Sequence, residues 1–240
     1  MKKYTFTSLS VVIAIFATTL SISAKPIGGS NEPFDYLATG KDLSWLSMGI
    51  YGGQFERNID FENGNNSILK TTRFHGYVGA DIFRWITVYG LIGGSESSVG
   101  ESETADGEAE YGGGIRLNLM HHFIAEPAPM EDVIRLNFDA RYLHASSDLN
   151  FENLKWDEIS ASLTMELVNH TAGNKFFNPE SIGLYFGPIF SSLNSSDFSE
   201  DQNFGITGGI EFYLVDTIVL DIEVQHFSET SAAVGLNFHF

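Results

Sequence analysis

Residues 141–146 read Arg-Tyr-Leu-His-Ala-Ser, and His144 with Ser146 is the pairing in this chain best suited to nucleophilic chemistry. On a strand the two share a face. A serine hydroxyl becomes a nucleophile when an imidazole takes its proton and an acid or amide orients that imidazole. Such a set cleaves acyl esters. Tyr142 with His144 equally suits an aromatic belt at a membrane interface, and so short a motif arises readily without any activity. The chain is therefore read as a non-enzyme, with no catalytic residue assigned.

A second set of residues carries charge. Arg116, Arg135, Asp139, Arg141, Glu166, Glu211, Asp221 and Glu223 sit at alternate positions of otherwise apolar segments, with Asp81 and Glu110 in similar places. Charges turned away from water must be paired or hydrated. Gathered in one interior, they would form either a narrow ion pathway or a plugged, ion-paired filling. A small barrel is largely filled by side chains, which favours the plug. Residues 95–109 hold Glu96, Glu101, Glu103, Asp106 and Glu108 without Lys or Arg. That run is a solvated loop, or one able to gather divalent cations or a basic partner. It has no spaced calcium-loop motif. The neighbours His121 and His122 point apart on extended chain, so no metal site is assigned, and no cofactor is expected.

The elements that must hold these residues are strands. Ten segments alternate. They centre on 44–55, 72–82, 86–94, 110–120, 134–142, 159–167, 181–191, 206–214, 218–225 and 232–240. The fifth is the cleanest: Ile134, Leu136, Phe138, Ala140 and Tyr142 oppose Arg135, Asn137, Asp139 and Arg141. The third has no settled parity, and Pro188 in the seventh suggests a bulge. The last ten residues set Val234, Leu236, Phe238 and Phe240 against Gly235, Asn237 and His239. Segments of about ten residues with one apolar and one polar face match what a bilayer about 30 Å thick asks of tilted strands. A soluble sandwich also alternates, but it turns its apolar face inward and covers the other with charge.

The 240 residues include no Cys, which excludes disulfides and thiolate metal sites. Residues 1–24 have the parts of a cleaved signal peptide: Lys2 and Lys3, an apolar run from Leu9 to Leu20, then Ser21, Ser23 and Ala24. Residues 25–42 read as a short periplasmic lead-in, and 43–240 as one barrel domain. Removing Lys2 and Lys3 leaves 11 basic against 31 acidic residues, a formal charge of −20. So acidic an exported protein is a poor nucleic-acid binder.

The expected fold is all-β: a closed up-and-down antiparallel transmembrane barrel of about ten strands, with eight as the alternative. With the N-terminus periplasmic, loops 56–71, 95–109, 145–156, 192–203 and 226–231 face outward. Turns 83–85, 121–131, 169–180 and 215–217 face the periplasm.

Three stretches carry a resemblance. They are Phe74-His75-Gly76-Tyr77-Val78-Gly79-Ala80-Asp81, Trp156-Asp157-Glu158-Ile159-Ser160-Ala161-Ser162-Leu163 and Val234-Gly235-Leu236-Asn237-Phe238-His239-Phe240. In these the chain resembles the small bacterial outer-membrane β-barrel proteins, loosely OmpA-like or opacity-like. The resemblance implies residence in the outer membrane, contact with its lipid and lipopolysaccharide, and Phe238 and Phe240 as a signal to the barrel-assembly machinery. The His144-x-Ser146 motif separately resembles that of outer-membrane phospholipase A and the lipid A deacylases, except that Ser147 stands where those families place Asn; the resemblance implies Glu152 or Asn153, on the returning strand, as the group that orients His144. The expected role is structural or surface-interactive, ahead of a narrow porin-like channel and of a lipid esterase using His144 and Ser146.

Overall fold

In the computed structural model the described residues are 45–61, 66–83, 85–100, 106–124, 132–149, 152–170, 181–195, 198–200, 202–215 and 217–240. The signal-peptide and lead-in readings fall on residues outside these. The chain forms β1 (Leu46–Phe61), β2 (Asn66–Phe83), β3 (Ile86–Val99), β4 (Asp106–Ile124), β5 (Asp132–Leu149), β6 (Glu152–His170), β7 (Ser181–Ser195), β8 (Phe198–Glu200), β9 (Phe204–Val215), β10 (Ile218–His226) and β11 (Thr230–His239). Ten of them pair antiparallel in chain order, and β11 returns to β1, closing a barrel. The extra strand is β8, within the stretch read as the outward loop 192–203. Among the described residues no helix is long and apolar enough to cross a membrane.

Closure follows from the terminal strand. Met48, Ile50 and Gly52 oppose Phe238, Leu236 and Val234, and Phe240 N–H donates to the Leu46 carbonyl at 3.2 Å. Every β11 residue of apolar parity thus meets one of matching parity on β1, so the seam leaves no free edge. The outer wall carries exposed Ile50, Phe74, Val78, Ile92, Met165, Phe186 and Phe204, the last at 71%. A soluble fold would bury such an apolar belt; a lipid-embedded wall presents it.

The strands are longer than the expected ten residues. β1 to β7 run to between 14 and 19, whereas β9, β10 and β11 have 12, 9 and 10. An 18-residue strand tilted by about 40° rises about 45 Å, well beyond a hydrocarbon slab. The loops expected at 56–71 and 145–156 are therefore mostly strand. The pattern ended early because polarity changes sides while the alternation continues. Outside β1, Met48 and Ile50 give way to Gln54 and to Glu56, which pairs with Lys70 at 3.3 Å. Inside the same strand, Phe55 and Ile59 become buried. The upper wall is built like a water-soluble barrel, wet outside and dry inside.

β8 explains how the short strands are tolerated. Phe198–Glu200 pairs with Ile59–Phe61 of β1, and Ser199 with Asn194 of β7. Above β9–β11 it stands in for all three, so an upper tier of eight strands continues a lower tier of ten. Ile59, Leu69, Ala145, Trp156, Leu193 and Phe198 fill that tier. At the opposite rim Val133, Val168, Tyr213 and Val219 form a second apolar cluster.

Local irregularities differ from expectation at two places. Pro188 makes no bulge: it pairs in regular register with Ile206, while the β6–β7 ladder lapses between Ser162 and Met165. The missing N–H thus falls where no ladder bond is made. Gly187 beside it lies so close to β6 that a Cβ would come within 1.9 Å of the Leu163 carbonyl oxygen. The bulges fall elsewhere, at Asp81/Phe83, Gly107/Tyr111, Asn118/Met120 and Ile218/Val219. His121 and His122 lie on β4, not in a turn, because the strand continues to Ile124. The third segment's parity is now clear: Thr87, Tyr89 and Leu91 face in.

Candidate functional site

All eight charged residues expected in the lumen are there and buried. The barrel stacks their contacts in layers. In the lower layer Arg116 lies 3.8 Å from Glu211, and Arg135 3.7 Å from Glu166. Tyr213 joins the two pairs. Its hydroxyl accepts from Arg135 Nη1 at 3.0 Å and lies 2.6 Å from Glu211 and 3.1 Å from Glu166. Asn137 donates to the other Glu166 oxygen at 2.9 Å.

Above this layer the remaining acids are held mostly by hydroxyls. Tyr89 donates to Asp139 at 3.1 Å, Tyr185 to Asp221 at 3.0 Å and Thr207 to Glu223 at 2.5 Å. A carboxylate taken from water needs such donors at once, and inward tyrosines supply them without adding charge.

The upper layer contains residues the sequence reading left out. Arg73 Nη1 donates to Glu158 at 2.6 Å, and its Nε lies 3.4 Å from Glu110. His75 Nε2 comes within 2.7 Å of Glu110, close but not aligned as a hydrogen bond. Arg141 lies 3.7 Å from Glu158, and so reaches into this layer. Arg57 stacks over Phe227, 3.7 Å from the ring centroid, and pairs with Glu200 of β8 at 3.1 Å. Burial pushes the Glu200 carboxyl up to about 7, with Arg57 and the Leu193 N–H pulling the other way. Arg57, Arg73 and Glu158 were legible in principle. Each continues the inward parity of its strand past the point where the outward face stops being apolar.

The upper layer leaves little space. The void between Phe55, Arg57, Leu69, Thr71, Arg73, Glu158 and Leu193 is about 10 Å³, room for one water at most. Apolar clusters close both ends, and paired charges fill the middle.

The outer wall bears the second candidate. His144 and Ser146 face outward on β5, as their parity required. The side chains of the two proposed orienting residues, Glu152 and Asn153, lie outside the described residues; among the described ones, Asp157 Oδ1 lies 2.8 Å from His144 Nδ1. Asp157 is the direct cross-strand neighbour of His144 in the β5–β6 register. Tyr142 donates to the same oxygen at 2.7 Å, and Tyr111 packs on the His144 ring at 5.1 Å. The sequence reading missed Asp157 because the tight β5–β6 hairpin pairs positions whose numbers sum to a constant, which only the register reveals. In the acidic stretch 95–109, residues 101–105 lie outside the described residues; Ser95 and Ser97 are buried on β3. Among the described residues no group of three or more His, Asp or Glu could hold a metal ion.

No family model matches this sequence, and no curated protein does. Solved structures match with high coverage and very low superposition. An engineered protein solved for its asymmetric conductivity shares 10% identity, covering 81% of this chain and 99% of its own, with a TM-score of 0.19. OmpF of Salmonella typhi in complex with daunomycin shares 9%, covering 81% and 97%, at 0.18. A triple mutant of the Rhodopseudomonas blastica porin shares 11%, covering 81% and 100%, at 0.16. Scores this low carry no functional weight, so the reading of this chain rests on its own barrel.

Proposed function

We propose that this protein is an integral barrel of the bacterial outer membrane with a sealed lumen, serving a structural or surface-contact role. One observation carries the reading: paired charges fill the barrel's middle while apolar clusters close both rims. An ion would have to cross two dry layers and break buried ion pairs between them. The surface that remains for function is the outside, where the apolar belt meets lipid and the polar upper tier stands in the lipopolysaccharide layer. Phe238 and Phe240 at the closing seam suit the strand that an assembly machinery would read.

The test is conductance of the refolded chain in a planar bilayer, beside the Arg135→Ala variant. Wild type is expected to be silent while unheated protein still migrates differently from boiled protein on a detergent gel. Discrete steps in wild type, altered in Arg135→Ala, would replace the sealed reading with a narrow channel.

A second reading, hydrolysis of lipid esters on the outer wall, is favoured by the 2.8 Å contact between His144 and Asp157. With Nδ1 held by a carboxylate, Nε2 is the nitrogen left to take a proton from Ser146, two residues along the same face. The serine oxygen would attack the acyl carbonyl, and His144 would pass the proton to the departing alcohol. Water would then release the fatty acid. Wild type incubated with dipalmitoyl phosphatidylcholine in mixed micelles should release palmitate, and Ser146→Ala should lower the rate by about 10³-fold or more without changing the gel shift. Absence of palmitate release from wild type would end this reading.

A further inference from the structure

The outer wall changes character within two residue steps of the His144–Asp157 pair. Phe190 and Phe204 face each other across β7 and β9, with Ala161 and Ala140 beside them, and form part of the lipid-facing belt. Ile159, 56% exposed, and Tyr142 lie one step higher. The next row is Tyr111, His144, Asp157 and Asn194, each the cross-strand partner of the last. Two residues along a tilted strand rise about 5 Å, so this polar row lies just above the acyl region, where lipid headgroups sit.

At that level the wall has a depression of about 320 Å³ lined by His144, Lys155, Trp156, Asp157, Asn194 and Ser195. Its electrostatics are unusual for this chain. The described arginines all face the lumen, and the outward cations among the described residues are Lys70 and Lys155. Lys70 is paired with Glu56. Lys155 forms no salt bridge among the described residues, although the protein carries 31 acidic residues. The one acid in the depression, Asp157, is already engaged by Tyr142 and His144. Ser195 donates to the Lys155 carbonyl at 2.9 Å and fixes the backbone from which the ammonium projects. What faces outward is therefore an ammonium, the Asn194 amide and an imidazole, directly above exposed Ile159 and Phe204. Those groups suit a negatively charged oxyanion whose attached chains lie on the apolar wall.

We infer that this depression binds the phosphate headgroup of an outer-leaflet lipid, with Lys155 and Asn194 holding the phosphate and the Ile159–Phe204 wall taking the acyl chains. The inference rests on the outer-membrane reading and extends it to a defined site and ligand class. It needs no bond cleavage, so it stands whether or not Ser146 is reactive.

Native mass spectrometry of the full chain in dodecyl maltoside micelles tests it, with dipalmitoyl phosphatidic acid or dipalmitoyl phosphatidylcholine as the probe. Wild type should retain one phosphatidic acid in preference to phosphatidylcholine. Lys155→Met and Asn194→Leu, both at exposed positions, should each weaken that retention by about tenfold while keeping the heat-dependent gel shift. Equal retention of the two lipids, or unchanged retention in Lys155→Met, overturns the site. Displacement of the bound lipid by millimolar inorganic phosphate would assign the depression to a soluble phosphate and overturn the lipid. A chain that never shows the gel shift would instead sink the outer-membrane reading, and this inference with it.

Discussion

Arg73→Met is expected to destabilise the barrel by about 3–5 kcal/mol, because it strands two carboxylates that are out of reach of water. Glu158 lies 2.6 Å from this guanidinium and Glu110 3.4 Å, and all three are buried. Arg141, 3.7 Å from Glu158, is too long a contact to replace the lost donor, and the His75 imidazole beside Glu110 carries a charge only when protonated. The arginine also covers Phe55, 4.4 Å from the ring centroid, so its stem packs as well as pairs. Denaturant unfolding in lipid vesicles reads the loss. Adding Glu158→Gln to Arg73→Met should return more than half of it, since the partner then carries no charge needing compensation. A single variant as stable as wild type would mean that water reaches this layer and that the lumen is not sealed at its upper end.

Much of this architecture could be read from side-chain parity, and the limits of that reading have a physical cause. Arg135, Asp139 and Arg141 alternate with Ile134, Leu136, Phe138 and Ala140, and the structure turns each to the face assigned. The barrel, its ten strands and the inward charges follow from that single regularity. It fails where lipid stops being the outer solvent. Above Gly52 on β1 and below Ile159 in the numbering of β6, polar residues take the outward positions and apolar ones the inward. A rule that equates apolar with outward therefore ends the strand where the chain continues. Arg57, Leu69 and Trp156 were lost to loops for that reason, and Glu158 fell just short of the sixth segment. β8 was illegible on other grounds: three residues are too few to show a period, and its pairing with β1 spans more than 130 positions. The Asp157 partner of His144 needed the hairpin register, which the residues between the strands do not announce.

Trp156→Ala is expected to cost about 3–5 kcal/mol, the usual range for emptying a large aromatic site in a packed core. The indole is 2% exposed, rests 6.4 Å from Phe198 between ring centroids and shares its cluster with Ile59, Leu69, Ala145 and Leu193. β8 joins the wall through three pairs to β1 and one to β7, so it depends on this packing more than any other strand does. Amide protection at residues 59–61 and 198–200 should fall first, well before that of β5 or β6. Trp156→Phe, which leaves less empty volume, should keep most of the stability and most of the protection. Neither variant should conduct. The Val133–Val168–Tyr213–Val219 cluster and the Arg135–Glu166 layer lie below the vacated site and are untouched by it. Channel steps in Trp156→Ala alone would show that the upper tier is the barrel's single effective seal. The lower layers would then be a hydrated passage beneath a stopper, and the protein a closed channel with β8 as part of its gate.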